Sequence, residues 1–141
     1  METINATTIS VNTIVNAPIE KVWDYFTGTK HITSWYQASD DWHAPYAEND
    51  LTPGGKFKTT MAAKDGSFSF DFGGVYTVVE KHRRIAYTLD DGRKVNIDFE
   101  ANGDATKIEE AFEAENTHSV EMQQGGWQAI LDSFKKYTES H

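Results

Sequence analysis

Residues 85–112, IAYTLDDGRKVNIDFEANGDATKIEEAF, contain three segments in which every second residue is mostly apolar. Two turn sequences separate them, Asp-Asp-Gly at 90–92 and Asn-Gly-Asp at 102–104, and both are typical of tight hairpins between antiparallel strands. Because the apolar residues of each segment share one side, one face of each strand is expected to be buried. The stretch therefore predicts an antiparallel meander with one apolar face.

The segments upstream extend this pattern. Residues 56–61 and 67–79 alternate in the same way around a hairpin turn at 64–66, and residues 7–15 predict the first strand. Gly73-Gly74 interrupts the longest strand, which predicts either a bulge or a sharp bend. The total is about six strands, and their short connections favour antiparallel pairing.

Three helices are predicted around this sheet. Residues 19–26 carry one apolar stripe, from which Trp23 is expected to pack against the inner strands, and residues 31–35 form a second short helix. Residues 36–50 have no clear period and are interpreted as a long, partly ordered loop. Residues 120–138 form a helix of roughly 28 Å at ~1.5 Å per residue, in which the small Gly126 predicts a close approach to the sheet.

The order of these elements predicts an α+β fold. A curved antiparallel sheet of about six strands wraps on a long C-terminal helix, with two short helices after the first strand. A strongly curved sheet around one helix leaves a cavity between the two layers. Residues 1–6 are interpreted as a polar lead-in, and residues 7–141 as a single domain without a linker.

The composition excludes several classes of protein. Asp and Glu number 22 against 13 Lys and Arg, a net charge of −9, so nucleic acid and anionic membranes are poor partners. No apolar run approaches the ~20 residues of a membrane span, and no secretory signal is recognisable. The absence of cysteine excludes disulfides and thiol chemistry. The expected location is the cytoplasm.

Six short motifs carry a resemblance to a known family. In chain order they are Asn16-Ala-Pro-Ile-Glu-Lys-Val-Trp23, Ser34-Trp35-Tyr36, Asp50-Leu-Thr-Pro-Gly-Gly-Lys-Phe57, Phe72-Gly-Gly-Val-Tyr76, Arg84-Ile-Ala-Tyr87 and Gly126-Trp-Gln-Ala-Ile-Leu131. Their order resembles that of the Aha-type ATPase activator homologues, named for an activator of the ninety-kilodalton heat-shock chaperone. This family belongs to the START-like (SRPBCC) superfamily, which includes the birch-pollen allergens. The resemblance implies a helix-grip fold and a START-like domain over residues 7–141.

The sequence shows no recognisable catalytic constellation. His31 and His43 can approach each other in the irregular region, but no two histidines have a spacing typical of metal ligands. The paired glycines match no phosphate-binding loop, and no Gly-x-Ser-x-Gly nucleophile motif occurs. We therefore predict no catalytic residue, no metal and no cofactor.

Glu110 is the exception in an otherwise apolar set. It shares strand parity with Ile108 and Phe112, which places its carboxyl group in the cavity unless the register shifts. A carboxyl group in an apolar cavity would have a raised pKa and could bind a polar ligand group or act as an acid. The alternatives are a register slip or a strand end open to water.

The predicted cavity is lined by aromatic and aliphatic side chains, with Glu110 as a polar anchor. The predicted ligand-binding residues are Trp35, Tyr36, Trp42, Phe70, Phe72, Phe99, Glu110, Trp127, Ile130 and Phe134. For Trp35, Tyr36 and Trp42, a place in the core and a place facing the ligand are equally consistent with the pattern. The inner face of the sheet is also expected to carry Phe68, Ile97, Ile108 and Phe112.

Three functions are consistent with this pattern. The first is a binding protein for a hydrophobic small molecule, without membrane insertion. The second, drawn from related folds, is an enzyme such as a cyclase or dehydratase acting within the cavity. The third is a chaperone-interacting protein, which needs an exposed patch. One satisfied polar residue in the cavity favours binding, whereas several convergent titratable groups favour catalysis. A monomer and a homodimer are both compatible with the sequence.

Overall fold

The computed structural model describes residues 7–141, so the polar lead-in at 1–6 lies outside the described residues. The elements in chain order are β1 (Thr8–Val15), α1 (Ile19–Thr27), α2 (Thr29–Trp35), β2 (Trp42–Asn49), β3 (Lys56–Ala63), β4 (Ser69–Glu80), β5 (Arg84–Leu89), β6 (Lys94–Asn102), β7 (Ala105–Glu113) and α3 (Val120–Ser140). The α+β fold predicted from the sequence is confirmed.

The seven strands form one sheet in the order β1-β7-β6-β5-β4-β3-β2, with every neighbouring pair antiparallel. Trp127 of α3 contacts both Phe112 on β7 and Phe72 on β4, which stand three places apart in the sheet. One indole can reach both strands because the sheet curls around α3.

Side chains of α3 hydrogen-bond to backbone carbonyls of β1, the strand at one edge of the sheet. The side-chain amides of Gln124 and Gln128 donate to the backbone carbonyls of Ser10 and Asn12 on β1, at 3.1 and 3.0 Å. Lys135 Nζ donates to the next outward carbonyl, that of Ile14, at 2.7 Å. An edge strand with free carbonyls is a site for unwanted pairing, and these bonds both cover it and hold α3 along the sheet.

The loop interpretation of residues 36–50 is wrong for its second half, which forms β2 and brings the strand number from about six to seven. β2 pairs with β3 and has a register shift between His43 and Tyr46. Within this strand Ala44 is the buried residue. An edge strand with Pro45 and a shifted register shows no clean alternation, so its pairing with β3 defines it.

The glycine pair of β4 does not mark a bulge; it allows neighbouring backbones to approach closely. Gly73 and Gly74 stay in register with β3, and the irregularity lies further along, between Tyr76 and Val78. A Cβ on Gly74 would lie 2.3 Å from the carbonyl oxygen of Thr88. The glycines are needed because neighbouring backbones approach too closely for a side chain.

The core lies between the inner face of the sheet and the helices. Trp23 is buried, and its ring meets Phe99 edge-on at a centroid distance of 5.2 Å.

At the start of α3, the Ser119 hydroxyl accepts a hydrogen bond from the backbone N–H of Met122, an N-cap that begins the helix. No helix among residues 7–141 combines the length and apolar character needed to cross a membrane.

Candidate functional site: a cavity between the sheet and α3

A cavity of about 410 Å³ lies between the curled sheet, α2 and α3. This volume is within the range of pockets that hold small organic molecules. Its walls are mainly aromatic and aliphatic, and among residues 7–141 Glu110 is the one buried carboxylate.

Most of the residues predicted to line the cavity do so in the structure. They are Trp35, Tyr36, Phe70, Phe72, Glu110, Trp127 and Ile130. Trp35 is 2% exposed and also belongs to the core, where its Nε1–H donates to the carbonyl of Tyr25 at 2.9 Å. Both alternatives for Trp35 therefore apply, since its ring packs against Phe26 and Phe134 in the core and the residue also borders the cavity.

The other three predicted residues, Trp42, Phe99 and Phe134, do not line the cavity. Phe99 packs against Trp23 and Phe26, so α1 covers it. Phe134 is fully buried against Phe26 and Trp35, one helical turn beyond the cavity. Periodicity indicates which face of an element is buried, but not how far along that face the cavity extends.

Trp42 and Phe68 do not line the cavity, but both contact Phe70, which does. Trp42 lies 6.0 Å, between ring centroids, from both Phe68 and Phe70. Phe68 is 59% exposed and precedes β4, so its expected place on the inner face is wrong. We call Trp42, Phe68 and Phe70 the rim cluster, of which Phe70 alone also lines the cavity.

Glu110 points into the cavity from β7. Its backbone pairs with Val11 on one side and Ile97 on the other, and neither ladder has a register shift. A register slip is therefore excluded, and the residue is 8% exposed. Burial among apolar walls raises the pKa of the carboxyl group to about 8, because the charged form loses its hydration.

Three tyrosines share the cavity with Glu110. Tyr76 donates its hydroxyl to Asn49 Oδ1 at 2.6 Å, and Asn49 Nδ2 donates to the carbonyl of Thr27 at 2.8 Å. Burial, and next the charge of Glu110, raise the pKa of Tyr36. Burial, then Tyr36 and then Glu110, raise the pKa of Tyr87. All three phenols therefore stay protonated. Tyr76 already donates its hydroxyl to Asn49, so Tyr36 and Tyr87 are the two that can offer an O–H group to a bound molecule.

Asn49 and Tyr87 were not among the predicted site residues. Asn49 lies in the segment interpreted as a loop, so no strand parity was available for it. Tyr87 alternates with Ile85 and Leu89 on the buried face of β5, a signal that equally indicates a core residue.

The expected close approach of α3 to the sheet at Gly126 is wrong. A Cβ placed on Gly126 would meet no heavy atom within 4 Å, and the residue lines the cavity. The missing side chain leaves room for the cavity instead of allowing a close approach. Gly125 also has open space around its Cβ position, but it is exposed and lies outside the lining.

His31 and His43 have different surroundings. His31 Nδ1 is 2.8 Å from the Tyr137 hydroxyl, and its ring stacks on Tyr25, whereas His43 lies on β2. Within residues 7–141, no group of three or more His, Asp or Glu side chains converges on a point that could hold a metal ion.

Comparisons with known proteins identify similar chains. A family model described as "Activator of Hsp90 ATPase homolog 1-like protein" matches residues 16–139. The solution structure of Chr148 from Cytophaga hutchinsonii is 58% identical, with a TM-score of 0.81, covering 94% of this chain and 92% of that chain. The NMR structure of the AHSA1-like protein from Aeromonas hydrophila is 42% identical, with a TM-score of 0.89, covering 95% and 93%. No curated protein gives a significant match.

A more distant structure has the same fold. DynU16, a putative protein in the dynemicin biosynthetic locus, is 16% identical with a TM-score of 0.73; the match covers 94% of this chain and 47% of that chain. At this level of identity the likeness shows the fold alone.

Proposed function

From the premise that this chain belongs to the family of Activator of Hsp90 ATPase homolog 1-like proteins, we propose that it binds a small apolar or amphipathic molecule between its sheet and α3. The observation that carries the proposal is the cavity of about 410 Å³ with aromatic walls. A space lined by apolar side chains gains free energy when an apolar guest replaces water.

The way into the cavity supports the same function. Phe70 and Met122 both line the cavity and are 42% and 64% exposed. Exposed apolar side chains at an opening are costly in water, and they are typical of binding sites for apolar molecules. An apolar ligand would contact these residues before it reaches the interior.

The fluorescent dye N-phenyl-1-naphthylamine tests the proposal directly. We expect an increase in its emission on binding, with a Kd on the order of micromolar, equivalent to about −8 kcal/mol. Native mass spectrometry of freshly purified protein is the companion measurement and is expected to show a co-purified small molecule.

A matched pair of variants locates the dye. Gly126→Leu places a side chain inside the cavity, whereas Gly125→Leu makes the same change on the adjacent exposed residue. We expect Gly126→Leu to abolish dye binding and Gly125→Leu to leave it unchanged. Ile130→Trp, which also fills the cavity, should behave like Gly126→Leu. If all three variants bind the dye as the wild type does, the dye sits elsewhere and the proposal fails.

A second candidate function is catalysis of the cyclase or dehydratase kind. The observation that favours it is the group of titratable side chains facing one cavity: Glu110, Tyr36 and Tyr87. Such groups can exchange protons with a substrate. Native mass spectra of the wild type and Glu110→Gln from the same host discriminate the two functions. An enzyme without its proton-transfer group retains substrate, so the recovered mass changes, whereas a binding protein retains the same molecule or none.

Contact with the ninety-kilodalton chaperone, suggested by the family's name, is a third candidate and implies a cytoplasmic location. The rim cluster offers an exposed aromatic surface for it. Stimulation of the chaperone's ATP hydrolysis that disappears in Trp42→Ala/Phe68→Ala would support this function. Ile14→Ala, at a residue 53% exposed on β1, is the control and should retain it.

A further inference from the structure

Glu110 has no partner for its charge within residues 7–141. Burial alone accounts for the state of its carboxyl group, with no contribution from a hydrogen bond or a nearby cation. The neighbours on either side in the sheet, Val11 and Ile97, are apolar and buried. A polar group that is more than nine-tenths buried usually has a partner, so this carboxyl group has a binding capacity that the folded chain leaves unused.

The remaining charges near the cavity do not supply a cation to Glu110. Arg93 borders the cavity, but its Nε donates to Asp91 Oδ2 at 2.8 Å. Two further carboxylates, Glu48 and Glu115, also border the cavity and lie closer to solvent. The titratable and charged groups around the cavity are Tyr36, Glu48, Tyr76, Tyr87, Arg93 and Glu115, with His118 exposed beside Glu115. This excess of carboxylates disfavours an anionic ligand group and favours a cationic one.

The cavity walls also suit a cation. Tyr36, Phe72 and Trp127 line the cavity and are linked by ring contacts, with centroids 6.0 Å apart between Tyr36 and Phe72 and 5.9 Å between Phe72 and Trp127. Aromatic faces attract cations through their quadrupole. An ammonium group beside Glu110 would therefore be held by the carboxylate and shielded by rings.

We propose that the ligand of this cavity is an apolar molecule that carries a basic amine, and that its ammonium group pairs with the carboxylate of Glu110. The inference rests on the proposed binding function and specifies the class of ligand. The body of the molecule occupies the aromatic part of the cavity, and the amine provides the donor that Glu110 lacks.

Protonation gives the pairing a signature. An aliphatic amine has a pKa of about 10 and is an ammonium ion at neutral pH. In the protein without ligand, burial keeps Glu110 protonated below about pH 8. Binding therefore transfers the Glu110 proton to buffer, while the N–H bonds of the ammonium stay intact. Affinity should rise with pH by up to about tenfold per unit below pH 8, and level off between the two pKa values. Tyr36, Tyr76 and Tyr87 stay neutral across this range because their pKa values are raised.

Three naphthalene probes test the inference: 2-(1-naphthyl)ethylamine, 2-(1-naphthyl)ethanol and 1-naphthaleneacetic acid. They share the apolar body and differ in the polar group. At pH 8 we expect the amine to bind about tenfold or more tightly than the alcohol, and the acid to bind least. The pH dependence should appear for the amine and be absent for the alcohol.

Glu110→Gln and Glu109→Gln are the matched variants. Glu109→Gln makes the same substitution one residue away. Glu109 lies on the outer face of β7, and its side chain is 58% exposed. We expect Glu110→Gln to lose both the preference for the amine and its pH dependence, and Glu109→Gln to keep both. Both variants keep every other charged group around the cavity, so a difference between them is due to Glu110.

The outcomes separate this inference from the function on which it rests. If N-phenyl-1-naphthylamine binds but the amine and alcohol bind alike in the wild type, the amine inference is overturned and the binding function stands. If neither the dye nor any naphthalene probe binds, both fail. The pH profile of the wild type needs no variant, so the inference stays falsifiable even if Glu110→Gln does not fold.

Discussion

The indole ring of Trp127 lies flat on the ring of Phe112, with centroids 3.9 Å apart and planes inclined by 10°. This contact joins α3 to β7 and closes one side of the cavity. Phe112 and Glu110 are two residues apart on β7 and therefore face the same side of the sheet. Gly126 precedes Trp127 and leaves the adjacent space open. The largest helix side chain at the cavity thus lies next to a residue that has none.

We predict that Gly126→Ala stabilises the protein. Alanine favours the helix by about 1 kcal/mol relative to glycine, and the added Cβ meets no atom within 4 Å. Gly125→Ala is the control and should gain a similar amount, because its Cβ position is also open. Urea denaturation measures both changes in the free energy of unfolding. A destabilised Gly126→Ala beside a stabilised Gly125→Ala would mean that the helix does approach the sheet closely.

We predict that Trp23→Ala lowers the free energy of unfolding by about 3–5 kcal/mol, the usual range for removing a buried large aromatic side chain. Trp23 is 6% exposed and packs edge-on against Phe99. Trp42→Ala is the same substitution at a partly exposed residue of the rim cluster and should cost clearly less. Denaturant melts of the two variants test this, and equal losses would contradict the assignment of Trp23 to the core.

We predict that Tyr76→Phe costs about 1–3 kcal/mol, because a buried acceptor is left without its donor. The hydroxyl of Tyr76 donates to Asn49 Oδ1 and so fixes the end of β2 against the sheet. Tyr46→Phe removes an equally short bond, to Glu48 Oε2 at 2.6 Å, but on the surface. Thermal melts should show a loss for Tyr76→Phe and little change for Tyr46→Phe; similar shifts in both would refute the role given to Asn49.

We predict that stability falls as pH rises from about 4.5 to about 8 because of Glu110. Its pKa is 4.5 in the unfolded chain and about 8 in the folded protein, so the folded protein holds one more proton between these values. The free energy of unfolding then decreases by up to about 1.4 kcal/mol per pH unit, and the contribution is constant above pH 8.

Glu110→Gln removes this dependence, whereas Glu109→Gln preserves it. Urea melts of the wild type and both variants between pH 5 and pH 9 isolate the effect as a difference between curves. The curve of Glu110→Gln should cross above that of the wild type as pH rises. Parallel curves for the wild type and Glu110→Gln would show that the carboxyl group is hydrated in the folded protein.

Local pattern predicted most of the fold and only part of the site. The strands β5, β6 and β7 alternate cleanly because one face of each is buried, and the turns between them carry Gly, Asn or Asp. Strand parity also placed Glu110 on the inner face, because an antiparallel ladder without a bulge preserves parity. β2 was missed because its partner, β3, and not its own sequence, defines it as a strand.

What the sequence by itself determined is the set of elements, their order, the buried faces and the single carboxyl group among them. These follow from local periodicity and turn chemistry, which depend on neighbours a few residues away. Only the tertiary structure decided where along the helix–sheet seam the cavity lies. That position depends on the curl of the sheet and on side-chain volumes from several elements. It places Phe99 and Phe134 in the core and Gly126 on the cavity, although periodicity treats all three as positions on buried faces.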